Sequence, residues 1–504
     1  MELRADTTPG VAQRLWPQEA LEAIHAASLE VLACAGVRVE SARAREVLLS
    51  AGCRKGDDGR VLVPAGVVTE ALEACPRSFR VAAGPGGHDL TIDPAPAQTY
   101  VHNVGDTRDA VDPRTGETRR AQVADLARMT RVLHGLGNVD AIVPPHQPAD
   151  VPAALEDLYA LLVMAAETDK PIVGPGISSS FQVRHLRDMS VARTGADGSG
   201  GRHACLFGFS PVSPLRLGRD VSEAMLDAAG LGGVAFLALP CPQIGTTAPG
   251  SLSAALALQN AEALAVIVLL ESARPGAPVL VGARLAGIDQ RSGRFTTGTP
   301  EMGLTAVAAV LLARAYGLAA DCFGPTSCAR VIDAQFGWQH AVNASLGLVA
   351  APRFLSGAAD MHSAEGTCPE SAVLDDELLG DLRYAFGPRA FDAQVLDVDA
   401  IVDGALRCGY LGTKHTRRFL RAELRLPEVA FVGERREWAD TGYASVVDAA
   451  SARASELIAR GPLGLDDGLL AAFAGQIAAA ASEAELGEWP DPRALVAGLA
   501  EVRA

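Results

Sequence analysis

Aromatic side chains stand at the ends of several short apolar runs in this sequence. Phe209, Phe323 and Phe354 begin or end such runs, and Phe336 and Trp338 follow one of them. Aromatic faces attract quaternary ammonium groups, with about 0.5–2 kcal/mol per contact depending on desolvation. Each ring taken alone is more typical of a hydrophobic core. Because only 5% of the residues are aromatic, their position at the ends of runs favours a shared ligand pocket.

The loops after these runs are long and rich in Gly, Pro, Ser and Thr, which lets the backbone approach a ligand closely. They span residues 210–215, 240–251, 282–301, 324–335 and 356–367. Asp333 is suited equally to capping the following helix and to contacting a ligand. The spacing of Asp289 and Arg291 favours a simple loop turn. Glu262 and Asn260 lie close together in one predicted helix, which favours a polar pair on the surface of that helix.

Other chemical motifs are missing from the sequence. It has no Gly-x-x-x-x-Gly-Lys-Ser/Thr loop, no His-Glu-x-x-His, no zinc-spaced Cys/His cluster and no nucleophile elbow, so no metal site and no serine nucleophile are predicted. Lys170 and Lys414 are poor candidates for a barrel lyase or isomerase. The nine cysteines are scattered, which is typical of a reducing cytoplasm.

The pattern that must position the loops is an alternation of short apolar runs and helical stretches, typical of βα units. It predicts an α/β fold, a (β/α)8 TIM barrel whose working face is formed by the loops after the strands. An open doubly wound sheet is the alternative. The predicted strands span 99–103, 139–143, 171–174, 204–209, 234–239, 278–282, 319–323 and 353–356. The predicted helices lie near 122–134, 153–168, 181–193, 218–229, 252–272, 302–316 and 333–349.

Three units are predicted along the 504 residues. Residues 1–96 form a small α+β unit, with helices near 19–34 and 42–50 and strands at 37–39 and 61–63. Residues 97–392 form the barrel, and residues 393–504 form a helical extension that packs on it. The division at 96 follows a Pro- and Gly-rich stretch typical of a linker.

The formal charge of −16 disfavours nucleic acid and anionic membrane surfaces as partners, because like charges repel. The first residues lack an apolar core of signal-peptide length, and later apolar runs are interrupted by Asn260, Glu262 and Arg314. We therefore expect a cytoplasmic protein that does not span a membrane.

A series of segments carries a resemblance that runs from about residue 18 to 460. In order they are VDPRTGETRRAQVADLARM, TDKPIVG, SPVSPL, IGTTAPGSLSAALALQNAEALAVIVLLE, RPGAPVLVGARLAGIDQRSGRFTTGTPE, TSCARVIDAQFGWQ, LDDEL, GYLGTKHTRRFLR and REWADTG. On these segments the sequence resembles the trimethylamine:corrinoid methyltransferase family. The resemblance implies a TIM barrel, in agreement with the count of eight runs.

The resemblance also implies the reaction, which is transfer of a methyl group from a methylated amine to the Co(I) of a corrinoid. The corrinoid would be carried by a separate partner protein, so no cofactor and no metal are expected on this chain. Its task would be to orient one N-methyl group. A homo-oligomer is one further expectation.

The trimethylamine-specific members of this family carry pyrrolysine in the loop after the seventh strand. Here residues 324–330 are all standard amino acids, so the resemblance is to the non-pyrrolysine branch, whose members demethylate quaternary amines such as glycine betaine. The family pattern is altered at four positions, where Cys328, Arg330, Ile332 and Gln339 replace Asp, Lys, Pro and Glu. Arg330 could meet a substrate carboxylate.

The candidate substrate-binding residues combine the strand-end aromatics with the loop after the seventh strand. They are Phe209, Phe323, Gly324, Thr326, Ser327, Cys328, Arg330, Asp333, Gln335 and Trp338. No residue is predicted to be catalytic in the covalent sense. Two alternatives stay open, which are a betaine-binding or sensing protein without turnover and a different TIM-barrel lyase or isomerase.

Overall fold

The computed structural model describes residues 10–95 and 97–503. At its centre lies a six-stranded sheet in which all neighbouring strands are parallel. The spatial order of its strands is Cys205–Phe209, Val234–Ala238, Val279–Ala283, Ala320–Phe323, Phe354–Ala358 and Tyr100–Asn103. Six of the predicted strands are therefore confirmed, and the parallel α/β class with them.

The other two predicted strands are present only as isolated parallel bridges. These bridges join His102 to Ala141, Ile142 to Ile172, and Gly176 to Gly208. The edge strands of the sheet are Tyr100–Asn103 and Cys205–Phe209. Residues 139–143 and then residues 171–174 lie between these two strands, in the order in which they occur in the chain. The backbone N–H of Ile142 donates to Pro171 and the N–H of Gly174 donates to Leu206, so both segments are hydrogen-bonded on the side of the next strand.

Helices alternate with the strands, as the periodicity predicts. Their bounds are Val123–Gly135, Glu156–Glu167, Ser180–Thr194, Arg219–Ala229, Leu252–Ala273, Pro300–Ala315, Ala334–Val349 and Pro369–Phe386. Leu252–Ala273 is long enough and, by its overall composition, apolar enough to span a membrane, but 83% of its most apolar window is buried in the structure. A helix of this kind belongs to the interior of a large core.

The N-terminal segment is joined to the central sheet region through strand pairing. Its helices are Val11–Leu15, Gln18–Cys34, Ala42–Ser50 and Ala65–Ala74, and its strands are Val37–Val39, Arg54–Lys55, Arg60–Leu62, Phe79–Val81 and Leu90–Ile92. Val37–Val39 pairs in parallel with Arg216–Leu217. Phe79–Val81 pairs in parallel with Arg202–His203. The predicted boundary at 96 lies at an undescribed residue, and strands pair across it.

The hairpin formed by Phe79–Val81 and Leu90–Ile92 covers the amino end of the central sheet. Its inward side chains form one apolar cluster with Leu206, Leu280 and Phe354 of the sheet. This cluster fills the sheet interior from the amino end. Any cavity enclosed by the sheet must therefore lie towards the carboxyl ends of the strands.

The C-terminal segment is helical and packs on the central helices. Its helices are Ala393–Leu396, Val398–Leu406, Lys414–Glu423, Arg435–Asp440, Val446–Ala459, Asp467–Glu483 and Pro492–Gly498. Buried Arg131 forms an ion pair with Glu167 at 2.7 Å and donates to the carbonyls of Ile458 and Leu499, which anchors this segment. The remaining strands are Asp109–Val111, Thr118–Arg120, Gly287–Ile288, Phe295–Thr296 and Gly366–Thr367.

Candidate functional site

A cavity of about 200 Å³ lies at the carboxyl ends of the central strands. Successive side chains of a strand point to opposite faces, so every second residue of each strand faces this space. The apolar part of the wall consists of Val104, Val143, Val173, Leu206, Leu237, Leu239, Phe323 and Phe354. The polar part consists of His102, Asn103, Asp106, Cys241, Arg284, Asp321 and Ser356. The cavity is thus mainly apolar, with a few convergent polar groups.

Three of these polar side chains form a buried charged cluster. Arg284 Nη2 donates to Asp321 Oδ2 at 2.8 Å, and His102 Nε2 lies 3.2 Å from the same oxygen. Burial alone would raise the pKa of Asp321, but the Arg284 guanidinium and the His102 ring hold that pKa well below its usual range. Asp321 therefore stays ionised and is neutralised by its neighbours.

Two groups of this cluster lack a protein partner within the described residues. Asp321 Oδ1 is buried without a hydrogen bond. The Arg284 side chain donates through its Nη atoms to the Asp321 carboxylate and to the carbonyls of Asp321 and Ala283, and no hydrogen bond among the described residues involves its Nε–H. Buried polar groups normally find a partner, so a ligand or water is expected to meet these two.

An aromatic face adjoins the cluster. The Arg284 guanidinium lies 4.3 Å from the centroid of the Phe323 ring, and Phe354 packs edge-on against His102 with 5.4 Å between ring centroids. Phe323 and Arg284 therefore occupy the same wall. This combination offers an apolar aromatic surface next to a fixed positive charge.

Asp106 lies in the loop after the first central strand. It is half-buried, and among the described residues its carboxyl group accepts one hydrogen bond, from the backbone N–H of Gly176 at 3.5 Å. Burial and the neighbouring carboxylate of Asp157 raise the pKa of Asp106 to about 7. Near neutral pH, Asp106 is therefore the carboxyl group of this wall that is present in both its neutral and its ionised form.

The loop after the seventh predicted strand begins directly after Phe323, which lines this cavity. Ser327 Oγ and the N–H of Cys328 both donate to Gln339 Oε1, at 2.7 and 3.2 Å. Gln335 Nε2 donates to Cys328 Sγ at 3.4 Å. The N–H of Ser327 donates to Asp360 Oδ2 at 3.1 Å. These contacts bring together three of the predicted residues in one hydrogen-bonded loop.

Cys328 and exposed Arg330 line a second groove of about 430 Å³, not the 200 Å³ cavity. The groove lies next to the Asp289–Arg291 turn, where Asp289 Oδ1 accepts from the N–H of Arg291 as the spacing predicts. Gly324 and Thr326 are buried packing residues. A Cβ at Gly324 would lie 2.3 Å from the Leu355 side chain.

Three other predicted residues lie outside the lining of this cavity. Phe209 points out of the sheet and packs against Phe236 at 6.0 Å, because it shares a face with Phe207 while Gly208 faces inward. Trp338 is 58% exposed on the far side of its helix. Asp333 caps that helix by accepting from the N–H of Phe336 at 3.2 Å. Of the predicted set, only Phe323 lines the cavity.

Two further interpretations from the sequence are tested by the contacts. Glu262 and Asn260 are buried rather than on a helix surface, since Glu262 accepts from Ser213 Oγ and the N–H of Leu215. Lys170 Nζ donates to three backbone carbonyls, those of Leu133, Leu136 and Val139, near the amino ends of the strands. Lys170 is thus a structural residue, which removes one candidate for lyase chemistry.

Comparison with known proteins identifies the family. The model of the trimethylamine methyltransferase (MTTB) family matches residues 7–478. The chain belongs to this family. It is 25% identical over 408 residues to the trimethylamine methyltransferase MttB of Desulfitobacterium hafniense (strain DSM 10664 / DCB-2), covering 80% of this chain and 81% of that protein.

Two other relatives in the family span a similar share. The trimethylamine methyltransferase MttB of Methanosarcina thermophila is 26% identical over 419 residues, covering 82% of this chain and 86% of its own. The glycine betaine methyltransferase of Desulfitobacterium hafniense (strain Y51) is 26% identical over 421 residues, with the same coverage of 82% and 86%. The predicted enzyme class, a methyltransferase, is confirmed.

Proposed function

We propose that this MTTB-family enzyme transfers a methyl group from a quaternary amine of the glycine betaine type to the Co(I) of a separate corrinoid protein. The observation that carries the substrate class is the shared wall of Phe323 and Arg284 in a small, mainly apolar cavity. Pockets for drug-sized ligands measure about 300–1,000 Å³. A cavity of about 200 Å³ suits a molecule smaller than those.

Each part of a betaine has a complementary group on the wall. Arg284 has an Nε–H with no hydrogen-bond partner among the residues that the structure describes, and it can donate to a carboxylate. The apolar side chains and the Phe323 ring can surround the N-methyl groups, which make no hydrogen bonds. A quaternary nitrogen leaves as a neutral amine, so the chain needs no acid to protonate the leaving group. Positioning is then the main contribution of the protein.

The fit to a corrinoid depends on size. A corrin macrocycle is larger than the cavity, so it fits only at the mouth, where the loops after the strands lie. A corrinoid protein docked there would supply reduced cobalt as the nucleophile. The residues of this chain hold the amine with one methyl group towards the mouth and keep water out through the apolar wall. Among the described residues no group of three His, Cys, Asp or Glu is placed to hold a metal ion.

The closed (β/α)8 barrel and a cytoplasmic location belong to this proposal. The three isolated bridges between the edge strands support closure, because they link residues 102, 141, 142, 172, 176 and 208 in ring order. A closed barrel places all loops after the strands on one rim. That rim is then the docking face for the corrinoid protein.

The test is a methylation assay with purified protein, a corrinoid protein held as Co(I), and a panel of glycine betaine, other quaternary amines and trimethylamine. We expect methyl-Co(III) to appear by absorbance with a quaternary amine. An Arg284→Met variant should lose turnover with carboxylated amines, while Trp338→Leu should retain it because Trp338 is exposed. Binding of an amine without methylation would instead support a betaine-binding protein.

A further inference from the structure

Asp106 is a carboxyl group on the cavity wall without a cationic partner. Within the described residues its carboxyl group forms no ion pair and accepts one hydrogen bond, from the N–H of Gly176. Asp321, the other carboxyl group of the wall, differs because Arg284 and His102 neutralise it. The negative charge available to a cationic ligand therefore belongs to Asp106.

The loop backbone fixes Asp106 at this wall. Its φ is +55°, in the left-handed region that residues other than glycine rarely adopt, although Asp tolerates it better than most. The preceding Gly105 lies so close to Val143 that a Cβ would be 2.2 Å from its side chain. The close approach of Gly105 and the unusual backbone of Asp106 together hold the carboxyl group towards the cavity.

The charged groups that face Asp106 are themselves acidic. Asp157 and Glu156, from the helix Glu156–Glu167, raise its pKa, and the N–H of Gly176 lowers it. Asp157 accepts from Gln182, and Glu156 is opposed by Arg120. With a pKa of about 7, Asp106 is partly neutral at neutral pH.

We infer that Asp106 binds the ammonium group of the substrate and that its carboxyl group releases a proton to solvent as the cation binds. This inference rests on the proposed function, since it assumes that the ligand of the cavity is a quaternary amine. In this step the O–H bond of the carboxyl group breaks, the proton goes to the buffer, and the carboxylate pairs with the cation. No electron transfer and no covalent bond to the ligand are involved.

The sign of the pH dependence follows from linkage. A nearby cation favours the ionised form, so the pKa of Asp106 is lower in the complex than the value of about 7 in the free protein. Affinity therefore rises with pH between these two values and levels off above the higher one. An opposite charge shifts a carboxyl pKa by about 1–3 units, so the ionised site should bind the cation roughly 10- to 1,000-fold more tightly.

The experiment is calorimetric titration of glycine betaine into the protein without any corrinoid protein, from pH 5.5 to 8.5, in two buffers of different ionisation enthalpy. Wild-type protein should release a fraction of a proton below about pH 7 and almost none above pH 8. Asp106→Asn should bind at least tenfold more weakly at pH 8, with no proton release and no pH dependence. Asn tolerates the same backbone conformation, and a melting curve checks that the variant is folded.

Two controls separate charge from shape. The isostere 3,3-dimethylbutanoate replaces the nitrogen of glycine betaine by carbon, so it should bind without proton release and equally well to Asp106→Asn. Asp157→Asn removes a repelling carboxylate, so it should shift the proton-release profile to lower pH while retaining binding. Equal betaine affinity of wild-type protein and Asp106→Asn, or binding without proton release at pH 6, would overturn the inference. Methylation can then still occur, whereas proton-coupled binding without methylation would contradict the proposed function alone.

Discussion

Replacement of Arg284 by Met provides a direct test of the buried charged cluster. Met keeps much of the apolar volume but leaves the Asp321 carboxylate without the guanidinium 2.8 Å away. Only the His102 ring would then remain beside this fully buried group. The variant therefore creates a buried carboxylate that is poorly compensated.

The expected cost follows from the burial of this pair. Removal of one partner from a buried ion pair typically costs about 3–5 kcal/mol. For a chain of 504 residues the unfolding entropy is roughly 1.1 kcal/mol per kelvin near 60 °C, so the Tm should fall by about 3–5 °C. Asp321→Asn on the Arg284→Met background should restore most of this loss, because it removes the uncompensated charge.

The pH dependence distinguishes this mechanism from a packing defect. In the wild-type protein the pKa of Asp321 is held below its ordinary value of about 3.9, so the stabilisation is present above that pH and is lost as pH falls through the lower, folded-state pKa. In Arg284→Met burial dominates and raises the pKa of Asp321, so the destabilisation should be greater at pH 8 than at pH 5. Melting curves at both pH values measure this. An equal loss of Tm at pH 5 and pH 8, or no recovery with Asp321→Asn, would refute the reasoning.

The parity of each strand decides which predicted aromatics reach the cavity. Phe209 and Phe323 both end apolar runs and are equivalent as patterns in the sequence. In the first strand Gly208 faces the cavity, so its neighbour Phe209 faces the helices. In the other strand Asp321 faces the cavity, and Phe323, two residues later, therefore faces it too. A run that is apolar on both faces does not reveal its inward side. The sequence predicts the strand, and only pairing with its neighbours fixes the face.

The buried cluster of Arg284, Asp321 and His102 is harder to predict from the sequence than the long loops are. Asp321 is a charged residue inside an otherwise apolar run. Arg284 directly follows a second apolar run and, by the alternation of side chains along a strand, lies on the same face as Leu280 and Gly282. A charged residue inside a buried strand requires a partner, so the sequence indicates that Asp321 has one. Its pairing across two strands 37 residues apart could not be predicted without the barrel register. Asp106 gave no signal beyond its position after a strand.

The positions that depart from the family pattern lie together but outside the cavity. Cys328 and Gln339 contact each other and also Gln335, which is not one of the four altered positions, and Arg330 is exposed on the neighbouring groove. Cys328 and Gln339 are thus direct partners of each other in this loop. These residues support the loop, while the charges on the cavity wall come from residues 106, 284 and 321.

Three further predictions follow from the burial and contacts of single side chains. Phe323→Leu should weaken betaine binding roughly 2- to 30-fold in a calorimetric titration, through loss of the aromatic face, whereas Phe209→Leu should leave the Kd unchanged because Phe209 packs against Phe236. Phe209→Ala should lower stability by about 3–5 kcal/mol, and an unchanged Tm would contradict its core position. The third prediction is that Glu262→Gln changes the dependence of stability on pH. Burial raises the pKa of Glu262 to about 7, above the ordinary value of about 4.3, so the native state binds its proton more tightly than the unfolded state and stability falls as pH rises between those values. A glutamine can still accept from the N–H of Leu215 without this penalty. The variant should therefore gain Tm relative to wild type at pH 8 and not at pH 4.5, and an equal change at both would show that Glu262 is ionised in the native state throughout.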